Sequence, residues 1–391
     1  MLLWDPACRG PGVGPGCLEC LFRMKEIRRI LVACDKFKGS LSAPEACAAI
    51  ARGLARRWPE AVIEACPIAD GGEGFAAALV VPLRGRWVEA PCQDALGRMI
   101  RARYLMAESS EGVLAVMEMA AASGSWRISN NERDILRANT FGTGELMRHA
   151  VEQTRARRLI LGIGGSATND GGAGMAAALG VRFLDSNGLP LAPSPGTWDG
   201  RLARVDVSQR ISLPPVTVAC DVASPLLGPS GATRVFGPQK GADESSIPVL
   251  EAALVALVNA AGGAVAAALP GSGAAGGLGF GLRHFAGASL VPGFDLLADL
   301  TCLAERIAAA DLVVTGEGSL DEQTLAGKGP AGVARLARSH GKPVWVFCGR
   351  SDPAARDSMA FDRVVELAST GLPIETLMSD AAGLLEEAAT G

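Results

Sequence analysis

Short apolar runs, each closed by a glycine-rich or polar turn and then a helix-like pattern, recur along this chain. Residues 30–34 run into DKFKGS, 62–68 into ADGGEG and 159–163 into GGSATNDGG. Residues 216–219 before CDVASPLLGP, 312–314 before TGEGSLDEQT and 344–347 before CGRSD repeat the plan. Continuous apolar runs that alternate with helices predict parallel strands buried on both faces. In such sheets ligands gather outside the carboxyl ends of the strands. Asp35, Asp70, Asp170, Asp221 and Glu317 all fall at those ends, and together they make a candidate site.

Residues 86–139 read differently. WVEA, IRARYLM and VLAVMEM alternate with turns, as antiparallel strands do. This change predicts a second domain starting near residue 85, and its far boundary falls in the glycine-rich stretch around 271–290. Residues 1–23 carry neither a signal-peptide core nor any periodicity, so they read as a tail or as a start codon placed too early. Residues 252–282 lack charge, but alanine and glycine dominate them and Pro270-Gly271 interrupts them; a buried helix and loop is expected rather than a membrane span.

At 391 residues the chain is long for one domain, and 49% apolar with 20% charged residues gives it an ample core. A net charge of −4 provides no general pull toward nucleic acid or an anionic membrane, so any anion must be caught by local groups. The ten cysteines are scattered, and Cys17 with Cys20 lacks the second half of a zinc site. A reduced, cytoplasmic protein is expected, with small-molecule partners and self-association left open.

Only six of the 37 basic residues are lysine, and most of those lie in the turns: Lys36 and Lys38 in DKFKGS, Lys240 in GPQKGA, Lys328 in LAGKGP. Lysine is a compact point charge suited to phosphate, whereas arginine has taken the other surface roles. Lys25 and Lys342 stand outside these motifs. Ser42 with Glu45 resembles a capping box, with Pro44 early in the helix, and the amides there with Lys36 and Lys38 could hold an anion. ADGGEG is either a tight acidic turn or a magnesium or hydroxyl site, since carboxylate oxygens suit that hard ion.

The stretch LILGIGGSATNDGGAGM carries two functional readings. Gly162, Gly164 and Ala167 match G-x-G-x-x-A after a strand, with Asp185 downstream as a ribose-binding acid, which would make the protein a nicotinamide-dependent hydroxy-acid dehydrogenase. Against this, residues 168–172 continue the loop where that fingerprint already begins its helix. The preferred reading is an extended phosphate loop with Asp170 projecting toward the reacting centre. No Walker loop, protein-kinase motif or serine-hydrolase elbow occurs, and His149, His284 and His340 are isolated.

Six motifs in order, DKFKGSLSA, ADGGEG, FGTGELM, GIGGSATNDGGAGM, ACDVASPLLGPSGATRVFGPQKGA and TGEGSLDEQTLAGKGP, resemble the type I glycerate kinase family from about residue 24 to about residue 349. Lys36 stands where Ser is frequent in that family, and Ser319 where Arg is common. The resemblance implies ATP and Mg²⁺ as cofactors and D-glycerate as substrate, phosphorylated at the 2-hydroxyl, with the 3-hydroxyl as the alternative. It also implies two α/β domains. One is Rossmann-like and built from both chain ends (24–85 plus 289–391); the other is inserted (86–288).

On this reading Asp170 orients or deprotonates the hydroxyl and Lys38 offsets the developing charge. Lys36, Ser40, Lys240, Glu317 and Lys328 contact substrate or phosphate, with Gly164, Gly165, Ser166, Thr168, Asn169, Gly171 and Gly172 from the loop. Arg98 is the expected partner of the substrate carboxylate, and Asp70, Glu73 and Asp221 the expected metal ligands.

Overall fold

A computed structural model describes residues 27–198, 200–321, 324, 329–356 and 360–391. The expectations for residues 1–23, the Cys17–Cys20 pair, Lys25 and Lys328 lie outside the described residues. In chain order the strands are β1 Arg29–Cys34, β2 Val62–Ala65, β3 Arg86–Gln93, β4 Met99–Ser109, β5 Gly112–Glu118, β6 Arg158–Gly162 and β7 Arg182–Leu184. They continue as β8 Arg204–Asp206, β9 Val216–Ala219, β10 Ser289–Val291, β11 Leu312–Leu320, β12 Val344–Ser351 and β13 Arg363–Glu366.

A five-stranded, wholly parallel sheet has the order β13-β12-β11-β1-β2 and draws its strands from both ends of the chain. A six-stranded sheet, β10-β9-β6-β5-β4-β3, is antiparallel from β3 to β5 and parallel from β5 to β10. β7 and β8 form a small ribbon. The fold is α/β, as the strand runs predict. Ile30 to Cys34 and Leu312 to Val314 are almost wholly buried because they sit mid-sheet under helices on both faces.

Three expectations need correction. β2 stops at Ala65 and is an edge strand with Val62 61% exposed, so its apolar run is not covered on both sides. TGEGSL is not a turn: β11 continues through it and pairs Glu317 with Cys348, so Glu317 stands inside the strand. Residues 289–291, expected with the chain ends, form β10 and pair with β9 in the six-stranded sheet.

The helix Ala43–Arg57 begins with the capping box foreseen, Ser42 N donating to Glu45 Oε2 at 2.8 Å and Glu45 N to Ser42 Oγ at 3.4 Å. Glu45 thereby occupies the helix end where an anion was envisaged. Residues 252–282 become parts of three helices, Ser246–Ala261, Ala264–Ala268 and Ala274–Ala286. No helix among the described residues is long and apolar enough to cross a membrane.

The two large sheets meet at the 70–74 turn. Gly164 N donates to Gly71 O at 3.3 Å, and a Cβ on Gly71 would lie 2.7 Å from the Ala219 Cβ. Asp221 Oδ1 accepts from Gly293 N at 2.9 Å, and Gly293 itself is pressed against the Asp70 carbonyl. The carboxyl ends of β6 and β9 therefore abut the acidic turn that follows β2.

Candidate active site

The glycine loop after β6 is mostly shut. Thr168, Asn169 and Asp170 are 0% exposed, and among residues 164–172 only Gly164 and Gly165 are more than slightly open to solvent. Residues 275–277, all left-handed, press on the loop so closely that a Cβ on Gly276 would sit 1.9 Å from Thr168 O. Gly171 N donates to Gly276 O at 3.0 Å, and Gly172 rests on Gly281. These glycines serve backbone-on-backbone packing. The extended phosphate loop expected from the sequence contracts to Gly164 and Gly165, with Ser166 (9% exposed) bridging Gly124.

Asp170 does not project into a site. Its Oδ2 accepts from Thr140 N (2.8 Å), Thr140 Oγ1 (2.8 Å) and Gly174 N (2.9 Å), and its Oδ1 from Gly172 N (3.2 Å). Burial pushes its carboxyl above the ordinary range while these donors pull it back. A carboxylate with both oxygens engaged and no solvent access ties the start of the helix Ala173–Ala178 to Thr140. It is poorly placed to take a substrate proton. Thr140, which precedes the FGTGELM motif, was the partner that sequence reading missed.

The other acids gather where the five-stranded sheet ends. Asp35, following β1, is pushed up to about 6 by burial and then by the charge of Asp70. Glu317 is pushed up to about 7 by burial, with Asp35, Asp321 and Asp70 adding to the rise and a 2.6 Å hydrogen bond from Thr324 Oγ1 opposing it. Asp35 and Glu317, whose ionisation is disfavoured by burial and by the Asp70 charge beside them, mark a place where a cation would be welcome. Asp35 belonged to the strand-end acids but had no assigned role. Asp221 Oδ1 accepts from Gly293 N, which packs on the Asp70 carbonyl. Glu73 is exposed and presents its carbonyl, which accepts from Lys36 Nζ at 2.9 Å.

Lys36 and Lys38 flank this group. Lys38 is exposed with no side-chain hydrogen bond or ion pair among the described residues, and its backbone packs over Gly318. Ser40 Oγ instead donates to Met378 O at 2.7 Å, tying the turn to the helix Ile374–Ser379. Arg98 is committed as well: Nε meets Asp94 Oδ2 at 2.5 Å, Nη1 meets Glu132 Oε1 at 2.7 Å and Nη2 donates to Arg127 O. Its charge is already neutralised twice. Lys240 is buried apart from the acids, beside Asp170, with Nζ donating to Thr168 O at 2.8 Å.

The dehydrogenase reading loses its support. The helix after β6 starts only at Ala173, beyond the glycines. Asp185 Oδ1 accepts from Asn187 N and Leu189 N, both at 2.9 Å, which makes it the anchor of a turn. The histidines pack: His284 stacks on Phe280 at 5.4 Å, and His149 meets the Tyr104 hydroxyl at 3.0 Å.

The two sheets of this α/β protein meet at acid- and lysine-bearing strand ends. The sequence profile described as Glycerate kinase family matches residues 30–391, and the chain belongs to the glycerate kinase family. It is 42% identical to a glycerate kinase of Bacillus subtilis over 92% of this chain and 96% of that protein. It is 41% identical to the glycerate 2-kinase of Escherichia coli K12 over 82% and 85%. A crystal structure described as glycerate kinase 2 from Salmonella typhimurium LT2 superposes with a TM-score of 0.81 at 39% identity, covering 93% of this chain and 97% of that one.

Proposed function

We propose that this protein transfers the γ-phosphoryl group of ATP to D-glycerate and releases 2-phosphoglycerate. The observation that carries the reading is the family match over residues 30–391. The product rests on the Escherichia coli relative named a glycerate 2-kinase; transfer to the 3-hydroxyl is the alternative.

Phosphoryl transfer through a loose transition state asks for alignment and charge neutralisation more than for a strong base. Asp35, Asp70 and Glu317 would orient the attacking hydroxyl, and Lys36 and Lys38 would offset charge on the transferred group. Gly164 and Gly165 leave bare backbone beside them. Magnesium fits this donor set. That ion keeps several of its waters, arrives on phosphate oxygens and touches one or two carboxylates. Asp70 and Glu317 would hold it, and when bound it would neutralise phosphate charge. The free cysteines, Cys34, Cys47, Cys66, Cys92 and Cys348 among them, suit a reducing cytoplasm. Each large sheet would centre one domain, with the inserted one ending after β10.

Incubation with D-glycerate and Mg-ATP should give glycerate-dependent ADP, and ³¹P NMR beside authentic 2- and 3-phosphoglycerate identifies the product. Reduction of NAD(P) by glycerate without ADP formation would sink the reading.

A further inference from the structure

The hydroxyl that Asp35, Asp70 and Glu317 would hold sits on the carbon next to the carboxylate, so the partner of that carboxylate must stand beside those acids. Arg98 is committed to Asp94 and Glu132, and Lys240 is buried apart from the acids. Lys36 Nζ is engaged on the Glu73 carbonyl. Lys38 is a point charge, without the paired donors that match the two oxygens of a planar carboxylate.

Strand register brings a further cation, Arg350, to this end of the five-stranded sheet. β11 pairs Glu317 with Cys348 and Ser319 with Arg350, and residues two apart on a strand share a face. Arg350 therefore lies on the face of Glu317, one strand across and two residues on, roughly 8 Å away at the backbone by ordinary strand spacing. Asp35 borders Glu317 on the other side, with its N donating to Gly316 O at 2.8 Å. A three-carbon acid can lie between these carboxyl groups and the guanidinium. The backbone under Arg350 is fixed: a Cβ on Gly349 would sit 2.6 Å from Gly318 O, and Asp352 N donates to Leu320 O at 2.9 Å.

The Arg350 side chain is exposed, oriented and uncommitted. Its Nε donates to Ser319 Oγ at 3.1 Å, and it makes no other hydrogen bond or ion pair among the described residues. Glu366, on the next strand, is taken by Arg356 and Ser351 N. The Nη1–Nη2 edge is left to meet two oxygens at once.

We propose that Arg350 receives the carboxylate of the hydroxy-acid substrate on this edge, with Ser319 holding the guanidinium in place. The proposal rests on the glycerate kinase reading and gives Arg350 the role expected of Arg98. In sequence Arg350 falls in CGRSD, which reads as a turn; β12 runs on through Ser351 and carries it into register with Ser319.

The test is steady-state kinetics on the full chain with D-glycerate and ATP each varied. Arg350→Ala should raise KM for glycerate roughly 10- to 150-fold, the loss of a charged hydrogen-bond partner, with KM for ATP within about twofold. Arg350→Lys should recover only part of that loss. Adding Ser319→Arg to Arg350→Ala should also recover part, since it returns a guanidinium from the neighbouring strand. The uncharged amide of D-glycerate should be a far poorer substrate than the acid for the wild type, and Arg350→Ala should narrow that ratio. A raised KM for ATP in place of glycerate would overturn the proposal and assign Arg350 to phosphate. Unchanged values for both substrates in the folded variant, or an acid-to-amide ratio that stays as it was, would also overturn it. Absence of glycerate-dependent ADP formation in the wild type would bring down the functional reading itself, a result visible before any variant is made.

Discussion

Asp170 and the Asp35–Asp70–Glu317 group make the instructive comparison. Each acid belongs to a glycine-bearing motif at the end of an apolar run, yet their surroundings are opposite. Asp170 receives four hydrogen bonds and touches no solvent. Asp35, Asp70 and Glu317 are half-buried and repel one another. A carboxylate matched by fixed donors is structural, because its charge is spent on its own backbone. A group of carboxylates whose charges oppose one another is destabilising on its own and is tolerated where a cation or reacting ligand will join it.

The sharpest way to break this comparison is to neutralise the acids one at a time. Glu317→Gln and Asp70→Asn should lower kcat by roughly 10²- to 10⁴-fold if these groups meet the reacting hydroxyl or its metal. Their melting temperatures should stay level or rise, because one repulsive charge has gone. A variant with near-normal kcat would remove that acid from the chemistry.

Asp170→Asn should do the reverse. An amide cannot accept from all four donors and adds an N–H that faces other N–H groups, so unfolding should become easier by about 2–4 kcal/mol. The folded fraction should keep kcat within a few-fold. Denaturant melts paired with active-site titration would decide it; wild-type stability with kcat down 10²-fold would return Asp170 to catalysis.

How much of this was legible in the sequence depended on distance along the chain. The strands at 30–34, 159–163, 216–219 and 312–314 were legible because a run buried on both faces needs no alternation. The capping box of Ser42 and Glu45 was legible because its partners lie within one turn. The fate of Asp170 was not, since its partner Thr140 is 30 residues earlier. Nor was the purpose of Gly171 and Gly172, since what leans on them comes from residues 276–281. Glycine written for tight packing and glycine written for ligand approach are the same letter.

A smaller effect concerns Lys240. Its folded pKa, about 7, lies below the ordinary lysine value of 10.5, so between those values the unfolded chain holds a proton that the native state has released. Stability contributed by this residue is therefore lowest below pH 7 and rises toward pH 10.5, by at most about 1.4 kcal/mol per pH unit. The Asp170 charge acts against the shift. Lys240→Met should be stabilising relative to wild type at pH 6 and less so at pH 9. Urea melts whose difference is the same at both values would show that the buried ammonium keeps its proton throughout.

The smallest change is expected at Arg98. Its guanidinium is about half exposed, at 46% of the side chain, and already meets Asp94 and Glu132. Asp94 is only 2% exposed, but it keeps two backbone donors, Leu96 N and Arg98 N, when the Arg98 side chain goes. Arg98→Met should therefore lower stability measurably, since a buried carboxylate loses its cation, and leave KM for glycerate within about twofold. A large rise in that KM would return Arg98 to the substrate carboxylate. It would mean that Asp94 and Glu132 release Arg98 when substrate arrives.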